Sequence, residues 1–299
     1  MVEKNLTRFA WLSIAAALAT ITLKTAAYWL TDSVGLLSDA LESVINLVAA
    51  MFALWMLSVA ARPADEGHPY GHTKAEYFSG ALEGSLIGMA ALSIGWTAME
   101  RLLDPRPIEN VTLGLIISAV ASVINLIIGQ ILIREGHTHR SITLEADGHH
   151  LMTDVYTSAG VIVAVLAVSL TGWYILDPII ALLVAVNILW TGFKVVRQST
   201  TGLMDAAVST EDLDKITGVL EGYKESHKID YHALRTRQSG TRAFVTVHIL
   251  VPDEWTVQRG HELTEQIVSD IHGAVPGSNV LTHLEPLDDP LSMEDIELE

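Results

Sequence analysis

Six stretches of about 20 apolar residues constrain this chain more than any other feature. A helix of that length crosses the hydrocarbon core of a bilayer, and inside it every backbone polar group must be satisfied within the segment. The stretches run over about 8–30, 36–60, 77–100, 111–134, 147–170 and 176–199. Turn-forming strings separate them: Thr31-Asp32-Ser33, Arg62-Pro63, Asp104-Pro105-Arg106-Pro107, Thr171-Gly172 and Asp177-Pro178. The composition agrees, with half the residues hydrophobic and 18% charged, and a mean hydropathy of +0.37. That balance excludes a disordered chain or a fibrous repeat. Nucleic acid is excluded as a partner, since Asp plus Glu is 35 against 18 for Lys plus Arg. No removable signal peptide is read at Met1–Arg8.

Charge divides the chain in two. From Asp205 onward there are 19 acids and 7 bases, a net of -12, whereas residues 1–204 carry a net of -5. We therefore expect a six-helix transmembrane domain over 1–204, a water-soluble domain over 205–286 and an acidic, disordered tail over 287–299. An even number of spans puts both termini on one side. Lys4, Arg8, Arg62, Lys74, Arg134, Arg140, Lys194 and Arg197 flank that side, against Arg101 and Arg106 on the other. The positive-inside bias makes it the cytoplasm. The soluble part predicts a helix over 209–222, strands over 229–237 and 242–251, a helix over 257–273 and a strand over 279–285. The order αββαβ predicts a ferredoxin-like sheet covered by two helices.

Ionisable side chains inside a bilayer cost a few kcal/mol or more, so they need a reason to be there. The second stretch carries Asp39, Glu42 and Asn46, and the fifth carries Asp147, His150 and Asp154. Both follow the same spacing, three residues then four, which groups such residues on one helix face. If the two faces meet, Glu42, Asn46, His150 and Asp154 converge as carboxylate, amide and imidazole donors, a set suited to a divalent transition metal. A proton relay or a buried polar knot between helices would use similar residues. Lys24 and Glu83, in the first and third stretches, fit a structural role: the lysine can snorkel, or the two can neutralise each other.

Cysteine is absent, so metal ligands must come from the 12 His and the carboxylates. Asp65, His68 and His72 fall in a Gly/Pro-rich loop that can gather them around an ion. In the soluble part, His232, His248, His261 and His283 lie on or beside the strands and second helix. His283 and Glu285, two apart on a strand, share one face. A solvated loop and plain surface histidines are the alternatives.

These strings resemble the cation diffusion facilitator family, most closely its bacterial zinc and ferrous-iron efflux members. The likeness covers about residues 8–286. It rests on Ser38-Asp39-Ala40, on His68-Pro69-Tyr70-Gly71-His72-Thr73-Lys74-Ala75-Glu76, on Ala146-Asp147 leading to His150-Leu151-Met152-Thr153-Asp154, and on Leu234-Arg235-Thr236-Arg237-Gln238-Ser239-Gly240. The resemblance implies a homodimeric, multi-pass inner-membrane exporter with a cytoplasmic metal-sensing domain. It implies exchange of a divalent cation (Zn2+, Fe2+, Mn2+ or similar) for protons by alternating access. It further implies a transport site of Glu42, Asn46, His150 and Asp154, a loop site of Asp65, His68 and His72, and tail sites of His232, His248, His261, His283 and Glu285. Zinc-type members usually carry Asp or His and then Asp where this chain has Glu42 and Asn46, and Asp where it has Glu285.

The metal then acts both as substrate and as regulatory ligand. No nucleotide is expected, since no Gly-rich phosphate loop is present. Two other classes compete: a membrane-anchored metal sensor whose tail is the working part, and an intramembrane metalloenzyme. The latter lacks the HExxH helix it would need.

Overall fold

The computed structural model describes residues 6–31, 34–103, 112–173 and 175–293. The chain divides into two compact units, Met1–Thr200 and Thr201–Glu299. The first is all helix: α1 (Thr7–Thr31), α2 (Val34–Ala60), α3 (Ala75–Leu103), α4 (Thr112–His139), α5 (Ile142–Thr171) and α6 (Leu176–Leu203). Among the described residues, four segments are long and apolar enough to cross a membrane: Thr7–Ala26, Ala75–Leu103, Ala119–His139 and Pro178–Leu203. In α2 the apolar run is shorter, Asn46–Ala60.

Inside lipid a helix satisfies its own backbone, and its ends set where the polar surface begins. At the start of α5 the Ser141 hydroxyl caps the Leu144 amide. At its end Gly172 takes the left-handed conformation (φ 71°) and its N–H donates to the Val168 carbonyl. The same Ser141 hydroxyl also donates to the buried Glu76 carboxylate, and the Thr143 hydroxyl donates to the Glu76 carbonyl at 3.2 Å. These bonds latch the start of α3 to the start of α5.

Small residues bring the helices together, as apolar membrane helices need close van der Waals packing to associate. Between α4 and α5 the backbones touch through Gly129, Gly136 and Gly148. A Cβ on Gly148 would lie 2.9 Å from the Gly129 carbonyl oxygen and 2.9 Å from the Ile133 amide nitrogen. Helices α3 and α6 approach through Gly84 and Gly192, where a Cβ on Gly192 would lie 2.9 Å from the Gly84 carbonyl oxygen. Leu6, Phe9, Leu57, Leu132, Leu144 and Leu151 close a shared core of α1, α2, α4 and α5.

The second unit runs α7 (Thr210–His227), β1 (Asp230–Ser239), β2 (Arg242–Val251), α8 (Val257–Ala274) and β3 (Ser278–Pro286), the order expected from the pattern. Ser209 and Thr256 cap the two helices. Strand β1 pairs antiparallel with β2 through a turn at Gly240 (φ 55°), and β2 pairs parallel with β3. The parallel pair needs a crossover, and α8 supplies it. Val245, Val247, Ile249 and Val251 alternate toward α7 and α8, packing with Ile216, Leu220, Leu263, Ile267 and Ile271. The residues between them in β2, including His248, therefore face away from the helices.

Beyond β3 the Leu287 amide donates to the Val251 carbonyl, and a 3-10 turn covers Pro290–Met293. In the described part of the end expected to be disordered, 287–293, Leu287 thus pairs with the last residue of β2, and the Ser292 hydroxyl donates to the Pro286 carbonyl. Residues 294–299 of that tail lie outside the described ones.

Candidate metal centre

Helix α5 presents His150 and Asp154 one turn apart, and α2 presents Asn46 to both. Asn46 Nδ2 donates to Asp154 Oδ2 at 2.9 Å, and Asn46 Oδ1 lies 2.7 Å from His150 Nε2. Because the amide nitrogen is committed to Asp154, Asn46 Oδ1 is the acceptor and His150 carries its proton on Nε2. Asn125 of α4 donates to the same Asp154 oxygen at 2.9 Å. Asn46 and His150 are buried. The expected meeting of the second and fifth helices through their polar faces is therefore present for Asn46, His150 and Asp154. The side chains of Asp39 and Glu42, on the same helix as Asn46, lie outside the described residues.

The three atoms turned toward one another, Asn46 Oδ1, His150 Nε2 and Asp154 Oδ2, are all potential ligands. An ion entering among them would replace the two hydrogen bonds of Asn46 and the proton on Nε2. Asp147, also buried on α5, instead accepts from the Ser13 hydroxyl of α1 at 3.1 Å. That bond ties α1 to α5.

Two groups at this centre were not anticipated from the sequence. One is Asn125, whose polar side chain in the middle of an apolar stretch was the available signal. The other is Glu83 on α3, fully buried, with a carboxylate oxygen 3.4 Å from His150 Nδ1. The packing of α3 against α5 sets it beside the imidazole.

The loop between α2 and α3 gathers its three expected residues. His68 donates its backbone N–H to Asp65 Oδ1 at 2.7 Å, and its Nδ1 lies 3.2 Å from the same oxygen. His72 Nε2 lies 3.3 Å from Asp65 Oδ2. A turn with Gly71 in the left-handed region (φ 88°) brings His72 back. Desolvation raises the Asp65 carboxyl, but the hydrogen bonds from His68 and the field of His72 and His68 outweigh it. The group sits below its ordinary value. One oxygen and two imidazole nitrogens lie within 4.8 Å of one another, close enough for one ion.

In the second unit the strand register sets His232 opposite His248 and His248 opposite His283. The three imidazoles form a row across the sheet face turned away from the helices. Glu285, two residues past His283, reaches under that row. Its Oε2 lies 2.7 Å from His232 Nε2, and its Oε1 lies 3.0 Å from His248 Nδ1 and 3.2 Å from His283 Nδ1. His232, His248 and Glu285 offer ligand atoms within 4.8 Å of one another. Among the described residues the buried Nδ1 of His232 has no hydrogen-bond partner. Nitrogen and carboxylate donors of this kind suit a borderline transition metal.

His261 is not brought into that group. It sits exposed near the start of α8, with Glu265 3.9 Å away. The physical reason is the alternation of β2: α8 covers the Val247 and Ile249 face, and the histidine row occupies the other.

The family model "Cation efflux transmembrane domain" matches residues 10–204. This chain belongs to the cation efflux family. The model "Cation efflux protein, cytoplasmic domain" matches residues 208–287. An uncharacterized transporter of Synechocystis sp. is 52% identical over 286 residues, covering 96% of this chain and 92% of the relative. The cation-efflux pump FieF of Klebsiella pneumoniae is 28% identical over 279 residues, covering 93% and 92%. That of Shewanella oneidensis is 29% identical over 275 residues, covering 92% of each. The chain is accordingly a multi-pass membrane transporter of divalent cations with a dimerisation domain, and not an enzyme.

Proposed function

We propose that the chain is a six-span, homodimeric antiporter that exports a divalent transition-metal ion from the cytoplasm in exchange for protons. Both termini face the cytoplasm of a bacterial inner membrane, as the flanking Lys and Arg indicate. Zn2+, Fe2+ and Mn2+ are the candidate ions. Glu42, Asn46, His150 and Asp154 hold the transported ion. Asp65, His68 and His72 form a loop site. His232, His248, His283 and Glu285 form the tail site.

The observation that carries this reading is the hydrogen-bonded set Asn46–His150–Asp154. The set is held together by two protons, one on His150 Nε2 and one on Asn46 Nδ2. Metal ligands must present lone pairs, so the ion enters only as the Nε2 proton leaves that atom. Proton and metal thus compete for one nitrogen. When the helices open to a more acidic outer side, proton return to His150 and the carboxylates expels the ion. Alternating access supplies the direction, and the proton gradient supplies the free energy.

The tail site acts as a sensor. Metal bound among His232, His248 and Glu285 neutralises part of the -12 charge of the tail. That lowers repulsion between two copies and couples cytoplasmic metal to activity.

Zinc uptake into proteoliposomes under an imposed pH gradient tests the proposal. The expected result is uptake that accelerates with the gradient and disappears in Asp154→Ala while the tail still binds metal. Uptake indifferent to the gradient, or intact in Asp154→Ala, would contradict it.

A further inference from the structure

Glu83 is the feature of the membrane unit that the transport reading leaves unused. It lies in the third turn of α3, its side chain is 0% exposed, and among the described residues neither carboxylate oxygen has a hydrogen-bond partner. A buried, unbonded carboxylate is costly by several kcal/mol and persists only where something repays its desolvation. His150 Nδ1 lies 3.4 Å from one of its oxygens.

With the His150 proton on Nε2, donated to Asn46 Oδ1, Nδ1 presents a lone pair toward Glu83. No hydrogen bond joins the two, and among the described residues the buried Nδ1 has no bonded partner. Once an ion takes Nε2, the imidazole carries its proton on Nδ1, and Glu83 is in place to accept it. A carboxylate behind a metal-bound imidazole fixes ring and tautomer and raises the basicity of the ligating nitrogen.

We propose that Glu83 is a positioning residue of the transport site: it accepts the Nδ1–H of metal-bound His150 and returns to the site the negative charge that the neutral Asn46 does not supply. The inference rests on the transport site proposed above. The buried carboxylate is satisfied in the metal-bound form and unsatisfied in the metal-free one, so it favours occupancy directly. Asn46 contributes an oxygen without charge, and Glu83 contributes charge without a metal bond. The pair divides between two helices, α2 and α3, what a single carboxylate on α2 would do.

The test compares zinc transport kinetics in proteoliposomes for wild type, Glu83→Gln and His150→Ala, together with thermal unfolding of each metal-free protein. Gln is isosteric and keeps an acceptor for Nδ1–H, so only the charge is lost. Loss of an outer-shell partner commonly weakens metal binding about 10–100-fold, so the KM of Glu83→Gln should rise by about that factor. Its metal-free melting temperature should stay unchanged or rise. An unchanged KM in Glu83→Gln alongside lost transport in His150→Ala would overturn the role of Glu83 and leave the site standing. Unchanged transport in both variants would overturn the site itself. A fall in Vmax and melting temperature at constant KM would make Glu83 merely structural, against the proposal.

A second readout uses the wild-type chain, so it does not depend on any variant folding. In 15N-histidine spectra of the zinc-loaded protein, assigned by loss of the His150 signal in His150→Asn, Nε2 should be metal-bound and Nδ1 protonated. Metal on Nδ1 would overturn the proposal.

Discussion

Replacing Gly148 by Ala perturbs the candidate centre without touching any of its polar groups. Gly148 sits on α5 two residues before His150, against the α4 backbone. An added Cβ would meet Ile133 Cγ1 at 2.7 Å, the Gly129 carbonyl oxygen at 2.9 Å and the Ile133 amide nitrogen at 2.9 Å. Two of these three atoms are helical backbone, which cannot swing aside. Ordinary contact begins near 3.5 Å, so α4 and α5 must separate by roughly 0.5–1 Å. The Asn125–Asp154 bond spans this same interface at 2.9 Å, and that separation carries it to or past the limit of a hydrogen bond. Overpacking of this kind costs about 1–3 kcal/mol. At roughly 2–4 °C per kcal/mol for a unit of this size, the melting temperature in detergent should fall by several degrees. Zinc KM in proteoliposomes should rise as Asp154 loses the Asn125 donor. Gly88→Ala, where nothing lies within 4 Å of the added Cβ, is the control and should behave as wild type. A Gly148→Ala protein that melts and transports like wild type would refute the claim that close α4–α5 packing sets the site.

Three further outcomes follow from the geometry. Asn125→Ala should leave the fold intact but weaken transport, because Asp154 loses a donor and no longer holds one orientation; uptake kinetics beside a melting curve check this. His248→Ala should remove metal binding by the tail and its activation of transport, while basal export persists, as read by titration calorimetry and by uptake at varied internal metal. Asp230 is held below its ordinary value chiefly by its hydrogen bond with Lys224, at 2.7 Å. A depressed carboxyl stabilises the fold above its unfolded value, and that stabilisation is lost as pH falls through the folded one. For this exposed pair it amounts to no more than about 1 kcal/mol. Asp230→Asn should therefore destabilise the tail slightly near neutrality and not at all in strong acid, as denaturant unfolding against pH would read.

Periodicity alone exposed the main elements, because a membrane helix and an alternating strand each write their burial into local spacing. The three-then-four interval of Asp147, His150 and Asp154 placed them on one side of α5, and the same interval carried Asn46 toward them. Strand alternation likewise put His283 and Glu285 on one face. What spacing could not convey was tertiary contact. Glu83 and Asn125 reach the site from α3 and α4, and only the packing of those helices against α5 makes them neighbours of His150 and Asp154. Within one chain His261 lies apart from the other tail histidines for the same reason. Nearness in a small domain says nothing about which side of a sheet a helix covers. Asp147, alike in spacing to the ligands, turned out to be engaged by Ser13 of α1, a partner 134 residues away.

The central claim is that one ion binds between α2 and α5. Anomalous scattering from crystals of the zinc-loaded protein tests it most directly. The account predicts a peak about 2.0–2.2 Å from both His150 Nε2 and an Asp154 carboxylate oxygen, with Asn46 turned from donor to ligand. Peaks confined to the 65–72 loop and the tail row, with Asn46 still bridging His150 and Asp154, would contradict it.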